Sequence, residues 1–339
     1  MKAIPKSNEL FQGAVSLQIT EQWVKPWRIP YEDAELFHPK AINGKAEIPA
    51  GVRIRLHTNT SQLRVEFERE AYELEVDCLI DGKLVQTGKL EADTLTPFLV
   101  FELNQPGDKL VELYLSQKQP VRIRGVWIDE DAEYTIPEDY RPRWVAYGSS
   151  ITQCVEAESP SQTWPALASA KLGLQLTCLG FAANCHMEPM VSRMIRDLPA
   201  DFVSVCVGVN IMGGSSLSER TFAPALIGFL QTIREKHPHT PLAVISPIYA
   251  KERETTDNKV GLQLVKIREI IEATVSMLQT RGDRNLYYLN GLTLFGEEYA
   301  DYFPDLLHPS AEGYRIMAGR FADWAQQTVP LLRGGIRND

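Results

Sequence analysis

The chain has 339 residues, of which 44% are hydrophobic, and its formal net charge is −9. This length exceeds that of one average domain, so we expect two domains, each with its own apolar core. Acidic side chains outnumber basic ones in residues 1–140, which argues against nucleic acid or an anionic membrane as a partner. No apolar run is long enough to span a bilayer, and residues 1–8 lack the apolar segment of a signal peptide.

The five cysteines are an odd number, lie in apolar runs and show no CxxC spacing, a pattern typical of reduced, buried thiols. We therefore expect a cytoplasmic protein. The sequence has no P-loop, dinucleotide-binding turn or zinc-ligand spacing, so neither a cofactor nor a metal is expected. Attack by Cys154 or Cys185 is a weaker alternative, because a buried cysteine usually acts as a small hydrophobic residue.

The first part of the chain predicts an antiparallel, jelly-roll-like β-sandwich, which we place at residues 1–135. Apolar and charged residues alternate at 52–56 and 63–68, as expected for strands with one face in water. Asp81-Gly82 and the Pro-Gly-Asp at 106–108 are turn sequences. Many short strands without a helical run are typical of a sandwich. Further strands are predicted at 74–80, 98–103, 110–115 and 121–128.

From Trp144 onward the sequence predicts an α/β domain, which we place at residues 136–339. Its strands are almost entirely apolar, which indicates a parallel sheet covered by helices on both faces. The predicted strands are 144–147, 176–179, 202–207, 242–246 and 286–289. The predicted helices are 163–172, 187–197, 219–236, 259–281 and 310–328.

Polar residues follow several of these strands, and the carboxyl ends of parallel strands meet at one edge of the sheet. Ser150 comes directly after the first strand, in a Gly-Ser-Ser turn. It is a candidate nucleophile, provided that a base is close, since an unassisted hydroxyl is too weak at neutral pH. We expect Gly148 to bend the backbone sharply and to leave room for a substrate. A turn or capping serine is the alternative interpretation.

Asp305 and His308 are three residues apart in a loop before the last predicted helix. This spacing allows the carboxylate to bind one imidazole nitrogen while the other nitrogen faces a serine. A surface loop with an unrelated acid and histidine remains the alternative.

The predicted oxyanion hole combines the Asn210 side-chain amide with the backbone N–H groups of Ser150 and Ala183. Gly180 is an alternative source of the second N–H group. Asn210 could instead be a turn residue that tolerates left-handed geometry.

The residues named above lie in four sequence blocks, 148–152, 180–184, 207–210 and 305–308. These blocks, in this order, resemble the SGNH (GDSL-type) hydrolase superfamily over residues 143–328. The resemblance implies a three-layer α/β/α flavodoxin-like domain with Ser150 as nucleophile, His308 as base and Asp305 as acid. Three positions depart from the family pattern: Ser149 replaces the usual Asp, Ile211 replaces the Asp that often follows the oxyanion Asn, and Ala183 stands for the oxyanion Gly. An alanine N–H can serve if its φ angle is negative.

The resemblance implies a serine esterase that acts on a small acyl ester, with acetyl as the expected acyl group. Family members with a preceding β-sandwich resemble carbohydrate esterases, so an acylated sugar is a candidate substrate. Trp23, Trp27 and Trp127 are candidate sugar-stacking residues, although core packing explains such residues more often. Acyl transfer to an alcohol and a catalytically silent carbohydrate-binding protein are the alternative functions. An exposed edge strand in residues 13–130 would allow dimerisation, and the sequence does not decide between a monomer and a homo-oligomer.

Overall fold

The computed structural model describes residues 1–333, and the chain divides into two compact units. The first unit contains residues 1–140 together with the short segment 158–161. The second unit contains residues 141–157 and the chain from residue 162 onward. Among the helices of the described residues, none combines the length and the apolar character needed to cross a membrane.

The first unit contains the predicted antiparallel strands and one short helix, α1 (Lys40–Asn43). Its strands are β1 (Lys2–Ile4), β2 (Phe11–Gln12), β3 (Ser16–Ile19), β4 (Val24–Trp27), β5 (Arg53–Thr58), β6 (Gln62–Phe67), β7 (Leu74–Ile80), β8 (Lys83–Leu90), β9 (Phe98–Glu102), β10 (Lys109–Tyr114), β11 (Ile123–Ile128) and β12 (Tyr134–Thr135). One sheet has the order β3-β4-β11-β6-β9, and β1 also pairs with β11. The other sheet has the order β12-β5-β10-β7-β8, and β2 also pairs with β5. The two-sheet, antiparallel architecture predicted for this part is confirmed.

The turn between β7 and β8 forms where Asp81-Gly82 predicted it. Both residues have positive φ angles, 50° and 75°, as a two-residue hairpin turn requires. Strand β8 itself was not predicted, because its first four residues are exposed and show no apolar alternation. Strand β4 was missed for another reason: Pro26 lies within it, and proline in a sequence argues against a central strand.

A buried carboxylate fixes the segment 158–161 to the first unit. Asp77, on β7, is fully buried and accepts a hydrogen bond from the Thr87 hydroxyl at 2.7 Å. It also accepts hydrogen bonds from the Ser159 hydroxyl at 2.6 Å and from the Ser161 N–H at 2.7 Å. A buried charge requires such donors, since an unpaired one would cost several kcal/mol (~3 or more). The two bonds from Ser159 and Ser161 therefore explain why a segment beyond residue 140 belongs to this unit.

The second unit is built on a five-stranded parallel sheet with the order β14-β13-β15-β16-β17. This is the flavodoxin-like order, in which the chain reverses direction across the sheet between the first and third strands. The helices form two groups, α3 with α9, and α4 with α6 and α7, so the three-layer α/β/α prediction is confirmed. The strands are β13 (Arg143–Gly148), β14 (Gln175–Gly180), β15 (Phe202–Cys206), β16 (Leu242–Ile245) and β17 (Leu286–Leu289). The helices are α2 (Ser150–Gln153), α3 (Trp164–Leu172), α4 (Pro189–Asp197), α5 (Val209–Gly214), α6 (Glu219–Arg234), α7 (Leu264–Thr280), α8 (Gly291–Leu294) and α9 (Ala311–Thr328).

The helix predicted at 259–281 begins only at Leu264. The Asn258 side-chain oxygen accepts hydrogen bonds from the N–H groups of Val260, at 3.1 Å, and Leu262, at 2.9 Å. Asparagine often forms a turn of this kind with its own backbone, in competition with a helix. Residues before Leu264 therefore form a loop rather than a first helical turn.

An aromatic cluster joins the last helix to the first strand of the parallel sheet. The Trp144 ring on β13 stacks on the Phe321 ring of α9, with 5.1 Å between centroids and 11° between planes. Trp164 of α3 packs against both rings. Each such aromatic pair stabilises the fold by about 0.5–1.5 kcal/mol beyond the burial of its area. This packing fixes α9, and with it the loop that precedes α9, relative to β13.

Candidate active site

Ser150 occupies the first position of α2, two residues after the end of β13, which lies between β14 and β15 in the sheet. Ser149 caps this helix, because its hydroxyl oxygen accepts a hydrogen bond from the Ile151 N–H at 3.2 Å. The N–H groups of a helix's first turn have no partner within the helix. No residue in the described range 1–333 accepts a hydrogen bond from the Ser150 N–H. Ser150, the candidate nucleophile, thus also carries a backbone N–H group without an acceptor among these residues.

Gly148 serves a different purpose from the one expected. Its φ angle is not positive, and the space beside it is filled by Thr152 of α2 rather than left for a substrate. A Cβ atom on Gly148 would lie 2.1 Å from the Thr152 hydroxyl oxygen. Gly180 faces the same helix, and its Cβ would lie 2.3 Å from the backbone nitrogen of Gln153. Both glycines therefore allow α2 to pack closely on the strand ends.

The structure brings Ser150, His308 and Asp305 into one hydrogen-bonded chain. The Ser150 Oγ atom lies 2.8 Å from His308 Nε2, and His308 Nδ1 lies 2.6 Å from Asp305 Oδ2. Asp305 Oδ1 also accepts hydrogen bonds from the N–H groups of His308, at 2.7 Å, and Leu307, at 3.0 Å. The loop is closed by the Ser310 N–H, which donates to the Tyr302 carbonyl at 2.7 Å. Both carboxylate oxygens are thus committed to this loop.

Two opposing effects act on the Asp305 carboxyl group. Partial burial raises its pKa, but hydrogen bonds from the His308 side chain and from two backbone N–H groups outweigh burial and hold the pKa below its usual value. Asp305 is therefore ionised at neutral pH. The ionised carboxylate accepts a hydrogen bond from the Nδ1–H of His308. The Nε2 atom of His308 then carries a lone pair, which is directed at the Ser150 hydroxyl.

Asn210 lies on the short helix α5, just after β15, the neighbour of β13 in the sheet. Its side-chain oxygen accepts a hydrogen bond from the Cys185 N–H at 3.0 Å. This contact assigns the amide orientation, so the NH₂ group occupies the opposite side. Within the part of the chain that the structure describes, nothing accepts a hydrogen bond from that NH₂ group. It is a second unpaired donor at the carboxyl edge of the sheet.

Ala183 lies in the loop after β14, and three side chains hold the peptide groups around it. The Ala182 N–H donates to the Gln153 side-chain oxygen at 3.0 Å, and the Ala182 carbonyl accepts from the Asn184 side chain at 2.6 Å. The C=O and N–H of one trans peptide point in opposite directions. Fixing the Ala182 carbonyl therefore fixes the direction of the Ala183 N–H, which has no acceptor among residues 1–333.

The next peptide group is held by an imidazole ring. His186 Nε2 lies 3.1 Å from the Ala183 carbonyl oxygen, and its Nδ1 lies 2.7 Å from the Ser216 hydroxyl. These partners assign the proton to Nε2, because a carbonyl oxygen can only accept. The loop that carries Ala183 is thus tied on both sides, before any ligand binds.

Ala183 adopts a left-handed conformation, with φ at 60°, so the condition of a negative φ angle is not met. The loop needs this angle to place both neighbouring carbonyl groups on their side-chain partners. A left-handed conformation costs a residue with a Cβ atom about 1–2 kcal/mol. Glycine, the family's usual residue at this position, has no such cost.

We therefore expect Ala183→Gly to change the free energy of unfolding by less than about 1 kcal/mol, because relief of strain offsets the greater freedom of the unfolded chain. Ala183→Val should destabilise by more than about 1 kcal/mol, since a β-branched residue tolerates positive φ poorly. Urea unfolding of both variants measures the difference. Equal destabilisation by Gly and Val would contradict a strained Ala183.

The buried carboxyl group of Glu188 supports the loop that carries Ala183. Tyr147, fully buried on β13, donates its hydroxyl to Glu188 at 2.8 Å and accepts a hydrogen bond from the Met187 N–H at 3.1 Å. Glu188 also accepts from the His186 N–H at 3.2 Å. Burial raises the pKa of Glu188 despite these hydrogen bonds. An acid at a helix start is usually exposed, so the position of Glu188 in the sequence favours an exposed side chain over this buried supporting role.

The two cysteines near the site are poor nucleophiles. Cys154 and Cys185 are buried, and burial raises the pKa of each thiol well above its usual value. Only the thiolate attacks a carbonyl effectively, and at neutral pH these groups stay protonated. The Cys185 backbone instead orients Asn210, as described above.

Comparisons with known proteins show the family of this chain. Residues 142–329 match the model of the GDSL-like lipase/acylhydrolase family. The chain belongs to this family. Residues 10–122 of this family member match a second model, the N-terminal domain of SsfX3. A comparison with the curated proteins gives no match.

Three solved structures similar to this GDSL-family chain are an acyltransferase, a GDSL-like lipase and a carbohydrate esterase. The chain is 34% identical to the salicylyl-acyltransferase SsfX3 from a tetracycline biosynthetic pathway, with 94% of this chain and 95% of that chain covered and a TM-score of 0.87. A GDSL-like lipase from Bacteroides ovatus has 22% identity, coverage of 94% and 95%, and a TM-score of 0.76. A family two carbohydrate esterase from Clostridium thermocellum has 14% identity, coverage of 82% and 92%, and a TM-score of 0.64. The last two likenesses show a shared fold that includes the N-terminal sandwich.

Proposed function

We propose that this protein is a serine esterase that hydrolyses small acyl esters through a covalent acyl-enzyme. The observation that carries the proposal is the 2.8 Å contact between Ser150 Oγ and His308 Nε2, with Asp305 behind the imidazole. A hydroxyl held at this distance by a neutral imidazole has its base in place for attack on a carbonyl. The N–H groups of Ser150 and Ala183 and the amide of Asn210 follow the three neighbouring strands β13, β14 and β15, which supports their assignment as donors to an oxyanion.

In the acylation step, the Ser150 oxygen attacks the carbonyl carbon of the ester while His308 Nε2 takes the hydroxyl proton. The carbonyl oxygen becomes an oxyanion, and we assign its stabilisation to the N–H groups of Ser150 and Ala183 and to the amide of Asn210. His308 then gives its proton to the alcohol oxygen as the C–O bond breaks. The alcohol leaves and the acyl group remains on Ser150.

In the deacylation step, His308 takes a proton from water, and the water oxygen attacks the acyl carbonyl. The second oxyanion uses the same donors. When it collapses, the proton returns from His308 to the Ser150 oxygen and the carboxylic acid is released. Throughout both steps, Asp305 keeps the imidazole in one tautomer and stabilises its cation.

The acyl group and the alcohol are proposed by analogy. A carbohydrate esterase of the same fold supports an acetyl ester of a sugar as the substrate. The sandwich tryptophans add little to this, since Trp27 is only 7% exposed and the Lys25 ammonium group covers its ring at 4.5 Å. Turnover of acetylated mono- and oligosaccharides, compared with p-nitrophenyl acetate, tests the substrate class.

Acyl transfer to an alcohol is the second candidate, and a specific observation favours it. The chain is 34% identical to an acyltransferase over 94% of its length. An acyl-enzyme partitions between water and an alcohol, so adding acceptor alcohols to a p-nitrophenyl acetate assay separates the two functions. Acetic acid as the only acyl product at every alcohol concentration, beside the p-nitrophenol that both reactions release, would support hydrolysis. A new ester that dominates at millimolar alcohol would support transfer.

Asn210→Ala is expected to lower kcat by about 10²- to 10³-fold and to change KM little, because the amide stabilises charge that develops only in the transition state. Steady-state kinetics with p-nitrophenyl acetate measure both constants. Asn104→Ala is the control, because it removes an exposed side-chain amide of the first unit that no step of the proposed mechanism uses. A change confined to KM in Asn210→Ala would place this residue in ground-state binding instead.

We also propose a cytoplasmic location. All five cysteines are buried and unbridged, which suits a reducing compartment. Fractionation of the source cells, with a periplasmic or secreted marker for comparison, tests this proposal.

A further inference from the structure

The loop between β16 and α7 wraps around the helix that carries Asn210. Near its end, the Asn258 side chain donates to the Met212 carbonyl of α5 at 2.9 Å. The adjacent Lys259 N–H donates to the Ser215 hydroxyl at 3.3 Å. Near its start lies a short 3₁₀ helix, Lys251–Arg253, at the carboxyl end of β16. The loop is thus fixed against α5 at more than one point.

Arg253 places its guanidinium group directly on this helix. A Cβ atom on Gly213 would lie only 3.0 Å from Arg253 Nη1, so the missing side chain makes room for the cation. Gly213 and Gly214 are both exposed, and the His186 ring lies over Gly214, with Cε1 3.1 Å from its Cβ position. An arginine and an imidazole therefore flank an open patch of glycine backbone.

The guanidinium group of Arg253 has no partner among the described residues, although the side chain is half-buried. The neighbouring Glu254 is committed elsewhere: its two oxygens bind Arg268 at 2.7 Å each. Arginine normally satisfies its planar set of N–H donors with a carboxylate or a phosphate. A half-buried, unpaired guanidinium is thus a binding group without its ligand.

The distance to the proposed reaction centre is short. Asn210 and Gly213 are three residues apart on α5, so their Cβ positions lie about 5–6 Å from each other. Adding the 3.0 Å from Gly213 to Arg253 places the guanidinium within about 9 Å of Asn210 Cβ. A small substrate whose carbonyl occupies the oxyanion hole can span this distance to Arg253.

We propose that Arg253 is a specificity residue that binds an anionic group, a carboxylate or a phosphate, on the ester substrate. The inference rests on the proposed function, since it places the scissile carbonyl at Ser150. Such a group can belong to the acyl chain or to the alcohol, and both fit the same chemistry.

The test compares matched anionic and neutral esters in the full-length chain and in Arg253→Gln. Monophenyl glutarate against phenyl pentanoate probes an anion on the acyl side. p-Acetoxybenzoate against p-acetoxybenzamide probes an anion on the alcohol side. Arg281→Gln is the matched control, because Arg281 is an exposed arginine before β17, at the opposite edge of the sheet.

We expect Arg253→Gln to lower the anionic-to-neutral ratio of kcat/KM by about 10- to 100-fold in one of the two pairs, since a hydrogen bond to a charged group contributes about 1.5–3 kcal/mol. The pair that responds identifies the side that carries the anion. Arg253→Lys should retain part of the preference, and Arg281→Gln should retain all of it. An unchanged ratio in both pairs for Arg253→Gln overturns the proposal and leaves Arg253 a packing residue.

A binding measurement separates this inference from the proposed function. Calorimetric titration of Ser150→Ala with p-acetoxybenzoate and with p-acetoxybenzamide needs no turnover. If adding Arg253→Gln to Ser150→Ala weakens the binding of p-acetoxybenzoate but not that of p-acetoxybenzamide, the result supports the anion site even if no ester is hydrolysed. Titration with monophenyl glutarate and phenyl pentanoate covers the acyl side in the same way. If adding Arg253→Gln to Ser150→Ala weakens the binding of neither anionic ester, the site is rejected even if hydrolysis depends on Ser150.

Discussion

Replacing Ser150 with Ala should lower kcat/KM for p-nitrophenyl acetate by about 10⁴- to 10⁶-fold, the scale seen when a serine nucleophile is removed. The loss follows from the geometry, because the Ser150 oxygen is the atom that His308 Nε2 contacts at 2.8 Å. Without that oxygen no acyl-enzyme forms, and the oxyanion donors can assist only a direct attack by water. Burst kinetics and mass spectrometry of the trapped acyl-enzyme locate the acyl group.

Ser149→Ala is the matched control for this experiment. Ser149 has the same side chain one residue earlier, but it is fully buried and its oxygen caps the Ile151 N–H. Its loss should cost about 1 kcal/mol of stability and leave more than a tenth of the activity. More than a tenth of the wild-type rate in Ser150→Ala would reject Ser150 as the nucleophile.

Asp305→Asn should lower kcat/KM by about 10³- to 10⁴-fold without removing the loop's hydrogen bonds. One oxygen of Asp305 accepts two backbone N–H groups, from Leu307 and His308. The oxygen of an asparagine would stay there, so its NH₂ group would face His308 Nδ1. That nitrogen would then have to accept, and the ring proton would move to Nε2. A protonated Nε2 cannot take the proton of Ser150.

The pH dependence distinguishes this explanation from simple unfolding. The hydrogen bonds around Asp305 hold its pKa below the ordinary value of about 3.9, so the wild type keeps the carboxylate ionised at every pH above that value. Its stabilising contribution is lost only as the pH falls through the lowered pKa. In Asp305→Asn, activity should recover partly at high pH, where hydroxide replaces the base. Asp301→Asn, which removes an exposed acid upstream in the same region, should keep wild-type kinetics.

The sequence predicted the parallel sheet well because buried strands are long apolar runs, and β17 was predicted to the residue. The approach of Ser150 to Asp305 and His308 could also be expected, since two polar loops at the ends of parallel strands meet at one edge. These predictions needed only residue type and order along the chain.

The support of the oxyanion loop could not be predicted in the same way. The contacts of Gln153, Asn184 and His186 with this loop depend on the left-handed angle of Ala183, and no local pattern signals that angle in an alanine. Gly148 illustrates the same limit. A glycine beside a serine suggests open space, whereas here Thr152 fills it.

The segment 158–161 has a consequence for anyone who divides this protein. The chain leaves the first unit after Tyr140, returns to it at Glu158 and leaves again after Ser161. A single cut therefore cannot yield both units whole: expression from residue 136 onward would strip Ser159 and Ser161 of the Asp77 carboxylate. The reciprocal fragment, residues 1–135, would bury that carboxylate with only Thr87 to bind it. The two units are therefore best expressed together, as one uninterrupted chain.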